Sequence, residues 1–132
     1  MKNKLISLVC ASTAVIILSG FYLFAGWSVD PTHYYFHNVP PGEFRDAQYT
    51  VYNGGPGWSG GGTVSITNSP HPEFYSCVSG CSYWIGPGED HTVTIRYTAP
   101  CSASNSGATI NFPTDSGTIL GWIGASSTGS GC

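Results

Sequence analysis

Cys77–Pro100, CVSGCSYWIGPGEDHTVTIRYTAP, is the stretch whose reading decides the fold. In its second half, Thr92, Thr94, Arg96 and Thr98 alternate with Val93, Ile95 and Tyr97, the period of a strand with one face in a core and the other in water. Gly86-Pro87-Gly88-Glu89-Asp90 is a turn cluster that ends whatever precedes it. Pro100 closes the strand because it cannot donate to a ladder. His91–Thr98 is therefore expected to be the central strand of a sheet.

Working outward, the same period recurs in short pieces. Tyr34 and Phe36 share a face in His33–His37. In Phe44–Tyr52, Ala47, Tyr49 and Val51 oppose Gln48, Thr50 and Tyr52, and Thr63–Thr67 turns Val64 and Ile66 inward. Phe74–Ser76 and Ser82–Ile85 read as short strands around Cys77–Cys81, and Ala108–Pro113 with Thr118–Ile123 as a hairpin about Thr114–Gly117. The connecting segments Asn38–Gly42, Asn53–Gly62, Asn68–Pro72 and Cys101–Gly107 read as turns or loops, and Ser126–Gly131 as a flexible tail. Seven to eight short strands with closely spaced turn signals predict an all-β, Ig-like antiparallel sandwich over residues 28–125, followed by a Gly/Ser tail, 126–132, ending in Cys132. Composition agrees: 8% of the 132 residues are charged, 14% are aromatic, and there are 18 glycines and 9 prolines, a turn-rich and helix-poor balance.

Lys2 and Lys4 precede a charge-free run from Leu5 to Val29. As a helix this run would reach about 37 Å, enough for a bilayer's hydrocarbon core. The sequence thus predicts an N-terminal hydrophobic helix over residues 1–27, either an uncleaved transmembrane anchor with the domain outside the cytoplasm or a cleaved signal peptide releasing a secreted or periplasmic protein. Beyond it the basic residues are Arg45 and Arg96, facing seven acids. No basic field is present to hold a phosphate backbone, which argues against nucleic acid.

Cys77, Cys81, Cys101 and Cys132 make an even set suited to an exported domain. Three pairings are open. The expected hairpin brings its outer ends, near Cys101 and Cys132, together, which favours Cys77–Cys81 and Cys101–Cys132. A four-thiolate zinc site would need a second close pair, which the spacing lacks.

With those elements placed, the order and spacing of Val29-Asp30-Pro31, Phe36-His37-Asn38-Val39-Pro40-Pro41-Gly42, Tyr49-Thr50-Val51-Tyr52-Asn53-Gly54-Gly55, Ile85-Gly86-Pro87-Gly88 and Val93–Pro100 resemble the ASH (abnormal spindle and hydin) Ig-like domains. Their exported bacterial relatives are the choice-of-anchor D repeats. The chain departs from the pattern at His37 and in its long glycine loop. The resemblance implies a protein-interaction or scaffolding module; it transfers no active site and names no ligand.

Candidate chemistry is sparse. Gly57-Trp58-Ser59-Gly60-Gly61 fits the nucleophile elbow G-x-S-x-G, and Gly55–Gly60 fits G-x-G-x-x-G, but each motif needs a following helix where a strand is expected. His33 and His37 share a strand face about 13 Å apart, too far to chelate one ion, and His71 and His91 show no partner. Adjacent Glu89 and Asp90 belong to a turn, since an acid/base pair must oppose across a cleft. No catalytic residue, metal or cofactor is expected. The aromatics are the functional excess: Tyr35, Tyr52, Trp58, Tyr75 and Tyr83 are expected in loops or away from the core. Of these Trp58, Tyr52, Tyr75 and Tyr83 are the candidate binding residues. A protein partner or self-assembly is the leading expectation, with a carbohydrate ligand held by the loop aromatics as the alternative.

Overall fold

In the computed structural model, residues 26–132 are described. Ten strands follow one another: β1 Trp27–Asp30, β2 His33–Val39, β3 Phe44–Asn53, β4 Gly60–Thr63, β5 Ser65–Thr67, β6 Tyr75–Ser79, β7 Ser82–Ile85, β8 Asp90–Thr98, β9 Ser104–Pro113 and β10 Thr118–Ser127. One 3-10 turn, Pro72–Phe74, precedes β6. The first sheet has the order β1-β3-β8-β6, the second β2-β10-β9-β5, and β4 with β7 forms a small flanking ribbon. The expected central strand is β8, flanked by β3 and β6.

Alternation builds the core. Ala47, Tyr49 and Val51 of β3 and Val93, Ile95 and Tyr97 of β8 are fully buried with Ala108, Ile110 and Phe112 of β9 and Ile123 and Ala125 of β10. Tyr49 packs on Phe112, ring centroids 5.6 Å apart, and its phenol donates to the Trp122 carbonyl at 2.7 Å. Among the described residues the buried Tyr97 hydroxyl has no partner. Since an unpaired buried hydroxyl carries its desolvation penalty uncompensated, Tyr97→Phe is expected to be neutral or stabilising by about 1 kcal/mol in urea denaturation. A loss of stability would show that this hydroxyl is satisfied.

The structure departs from the sequence reading in several places. Strands number ten rather than seven or eight, partly because the first one switches sheets: β1 pairs antiparallel with β3, the chain crosses at Asp30–Thr32, and β2 continues into the second sheet. There β2 lies parallel to β10, so the sandwich is not wholly antiparallel. Gly60–Gly62, expected in a loop, pair with Tyr83–Ile85 as β4. At Gly61, with φ +155°, a Cβ would collide with the Tyr83 carbonyl, so the ribbon closes only on glycine. Val64, between β4 and β5, splits the strand expected over Thr63–Thr67, and both it and Ile66 point inward. Ser104–Gly107, expected in a loop, extend β9, and β10 runs through Ser127, beyond the expected start of the tail.

Both favoured disulfides are present, Cys77–Cys81 and Cys101–Cys132. The expected N-terminal helix falls outside the described residues except at Gly26 and Trp27, which belong to the sandwich: the Gly26 carbonyl accepts from Gly54 N–H at 2.7 Å, and Trp27 pairs with Asn53. Among the described residues no helix is long and apolar enough to cross a membrane.

Candidate binding surfaces

The two sheets differ in charge. The strands β2, β5, β9 and β10 contain no Asp, Glu, Lys or Arg, whereas β1, β3 and β8 carry Asp30, Arg45, Asp46, Asp90 and Arg96. On the outside of the charged sheet, Arg96 grips Asp46 through two hydrogen bonds of 2.8 and 3.0 Å and lies over the Phe44 ring, 3.8 Å from its centroid. That hydrogen bonding holds the Asp46 carboxyl below its ordinary value.

The uncharged sheet presents aromatics instead. Strand alternation turns Leu120 and Trp122 of β10 and His33, Tyr35 and His37 of β2 outward, while Tyr34, Phe36 and Ile123 turn inward. The Tyr35 and Trp122 rings are nearly parallel, 7° between planes and 6.2 Å between centroids. Tyr35 and Gly124 are cross-strand neighbours, as are Gly124 and Gly107. A Cβ at Gly107 would stand 2.9 Å from the Trp122 indole, and one at Gly124 would collide with it and stand 2.9 Å from the Tyr35 ring. The two glycines let the indole lie down on the sheet. His33 is 6.4 Å from Trp122 and His37 4.6 Å from Tyr35, centroid to centroid. The Asn105 amide accepts a long hydrogen bond from the Tyr35 phenol, 3.4 Å.

The edges of the sheets are unequal. β1 has four residues and β5 three, while β6 carries a bulge between Cys77 and Ser79 and is tied down by the Cys77–Cys81 bridge. β2 has seven residues, with a bulge in its ladder between Phe36 and Val39, and among the described residues only β10 lies beside it. The Thr32 carbonyl accepts from Trp122 N–H at 2.8 Å. In a parallel ladder alternate residues bond the neighbour. Tyr34 and Phe36 therefore carry the bonds to β10, and the N–H and C=O groups of His33, Tyr35 and His37 point outward along a free edge.

The four candidate binding residues separate into two pairs. Trp58 is 78% and Tyr52 43% exposed, as expected. Tyr75 and Tyr83 are corrected: both are buried, their phenols bonded to the Ser106 hydroxyl at 2.6 Å and the Pro113 carbonyl at 2.7 Å. Desolvation pushes the Tyr75 phenol up to about 12 and raises that of Tyr83 as well. These tyrosines build the edges of the core and cannot meet a ligand. The sequence reading overlooked Trp84, 70% exposed on β7, and Trp122. Trp122 had a signal, since Ile123 inward places its neighbour outward.

The loop that carries Trp58 is organised by buried Asn53, whose amide donates to the carbonyls of Trp58 (2.9 Å) and Ile85 (3.3 Å) and accepts from Gly55 N–H (3.1 Å). Beside it a depression of about 440 Å³ is lined by Trp27, Asn53, Gly57 and the hairpin tip Thr114–Ile119. Ser59 leads directly into β4, so a strand stands where a nucleophile elbow requires a helix. His71 and His91, read as partnerless, do have neighbours: His71 stacks on Phe74 and meets Glu73 at 3.4 Å, and His91 Nε2 lies 3.1 Å from the Gly80 carbonyl. The Glu89 carboxylate accepts from Gly86 N–H at 2.7 Å, closing the turn. Among the described residues no three His, Cys, Asp or Glu side chains gather as a metal site.

No family model and no curated protein matches this sequence. Solved structures do. The chain is similar to PapD-like domain 7, an ASH/PapD-like domain, of human CEP192, with a TM-score of 0.64 and 12% identity over 79% of this chain and 86% of that one. It is similar to WR4, an MSP family member of C. elegans, with a TM-score of 0.51 and 9% identity over 77% and 97% of the two chains. It also matches 27% of a family 123 glycoside hydrolase from Clostridium perfringens, with 80% of this chain covered, a TM-score of 0.59 and 7% identity. At such identities the likeness establishes the fold alone. The chain shares the Ig-like sandwich fold of the ASH/PapD-like domain, the fold that the resemblance implied.

Proposed function

We propose that the protein is a non-catalytic, extracytoplasmic interaction module that receives a partner strand along the free edge of β2. The free edge carries this reading: it is the longest edge strand among the described residues, with outward N–H and C=O groups at His33, Tyr35 and His37. Such an edge is a template for strand addition, with main-chain bonds supplying affinity and alternate side chains supplying choice of partner. The other edges are shorter, and β6 is also stapled by the Cys77–Cys81 bridge. The two disulfides support an oxidising compartment. Membrane tethering or secretion rests on the charge-free segment ahead of Trp27.

The test uses the backbone. A proline at position 37 keeps the ladder to β10 and removes one outward donor, the placement that edge strands tolerate. With a photo-crosslinking residue at position 33 of the intact chain in its native setting, a protein or a second copy is expected to be labelled, and His37→Pro is expected to abolish the labelling. Equal labelling from position 76 on β6, or labelling indifferent to His37→Pro, would refute the edge.

A further inference from the structure

We infer that the outer face of the β2-β10-β9-β5 sheet, centred on Trp122 and Tyr35, is a platform for a neutral carbohydrate. This goes beyond the edge contact and does not depend on it.

The chemistry of the face excludes most other ligands. With no Asp, Glu, Lys or Arg on its four strands, the sheet offers no permanent charge to offset the desolvation of a phosphate, a carboxylate or a basic peptide. What it offers is two aromatic rings, nearly parallel and side by side over one backbone row. Because Gly107 and Gly124 meet the indole from below, the 39% of Trp122 that stays exposed lies on the side away from the sheet. A pyranose ring is built to match: axial C–H groups, with partial positive charge, pack on the electron-rich ring face, and equatorial hydroxyls project sideways. Beside these rings stand His33, His37 and the Asn105 amide, which bring hydrogen-bonding atoms to the rim.

A protein partner would be held differently. Protein hot spots sit in well-packed pockets, whereas the depression at the Thr114–Ile119 hairpin tip is lined by none of the residues of this aromatic pair. Trp58, the more exposed residue, lies in the glycine loop without a second ring beside it among the described ring pairs. The platform is therefore assigned to Trp122 rather than to Trp58.

The test is binding of the intact chain to an array of neutral oligosaccharides of glucose, N-acetylglucosamine, mannose and galactose, followed by titration of any positive with tryptophan fluorescence as readout. At least one series is expected to bind and to shift the emission. Trp122→Ala is expected to weaken binding roughly 10-fold or more, Tyr35→Ala to weaken it less, and Trp58→Ala to leave it unchanged. Trp122→Phe keeps a ring over the glycines and is expected to retain part of the binding, which separates loss of the platform from loss of the fold. Binding to no neutral glycan, or binding lost in Trp58→Ala but kept in Trp122→Ala, would overturn the assignment.

Discussion

Replacing Cys101 and Cys132 together by serine is expected to cost about 3–4 kcal/mol, the chain-entropy value for a loop of this length. The bridge spans a sequence separation of 31 and closes the β9–β10 hairpin at its open end. Little else holds the segment after β10: Thr128 N–H reaches the Val39 carbonyl at 3.1 Å and Gly131 N–H the Cys101 carbonyl at 2.8 Å. A domain of this size has only about 5–15 kcal/mol in hand, so the melting temperature should fall by roughly 15–25 °C. The corresponding change at Cys77 and Cys81, separated by 4, should cost less, about 2 kcal/mol. A Cys101/Cys132 variant within about 1 kcal/mol of the parent would show that the unfolded chain gains little freedom when the bridge is absent.

Asn53→Ala is expected to cost about 2–4 kcal/mol. Its side chain is 1% exposed and satisfies two carbonyls and one amide. Its main chain joins the adjoining turn, accepting from Gly88 N–H at 2.6 Å and donating to the Glu89 carbonyl at 3.0 Å. Alanine leaves the Trp58 and Ile85 carbonyls without that donor, inside a region water cannot reach freely. Denaturant titration should register the loss, and limited proteolysis should cut first within Gly54–Ser59. A change below about 0.5 kcal/mol would mean that the loop is held by other contacts.

Where one side chain in two was large and apolar, the sequence was readable. Val93, Ile95 and Tyr97 and the Ala47, Tyr49, Val51 set announced both strand and inward face, and both are fully buried. Gly60–Gly62 carry no such pattern, and their strand exists only because Tyr83 and Trp84 approach from a distant segment. Tyr75 and Tyr83 sit in strands of five and four residues, too short to show which face is inward. Their burial depends on Ser106 and Pro113, about 30 residues away. The parallel seating of β2 on β10, which creates both the free edge and the Tyr35–Trp122 pair, joins segments about 90 residues apart. No local period reports it.

The free edge of β2 can be measured directly by amide hydrogen exchange of the purified chain, read residue by residue. Slow exchange at Tyr34 and Phe36, bonded into the β10 ladder, and fast exchange at His33, Tyr35 and His37 is the expected pattern. Slow exchange at all five positions would mean that the edge is already covered, and would contradict the proposal that it awaits a partner strand.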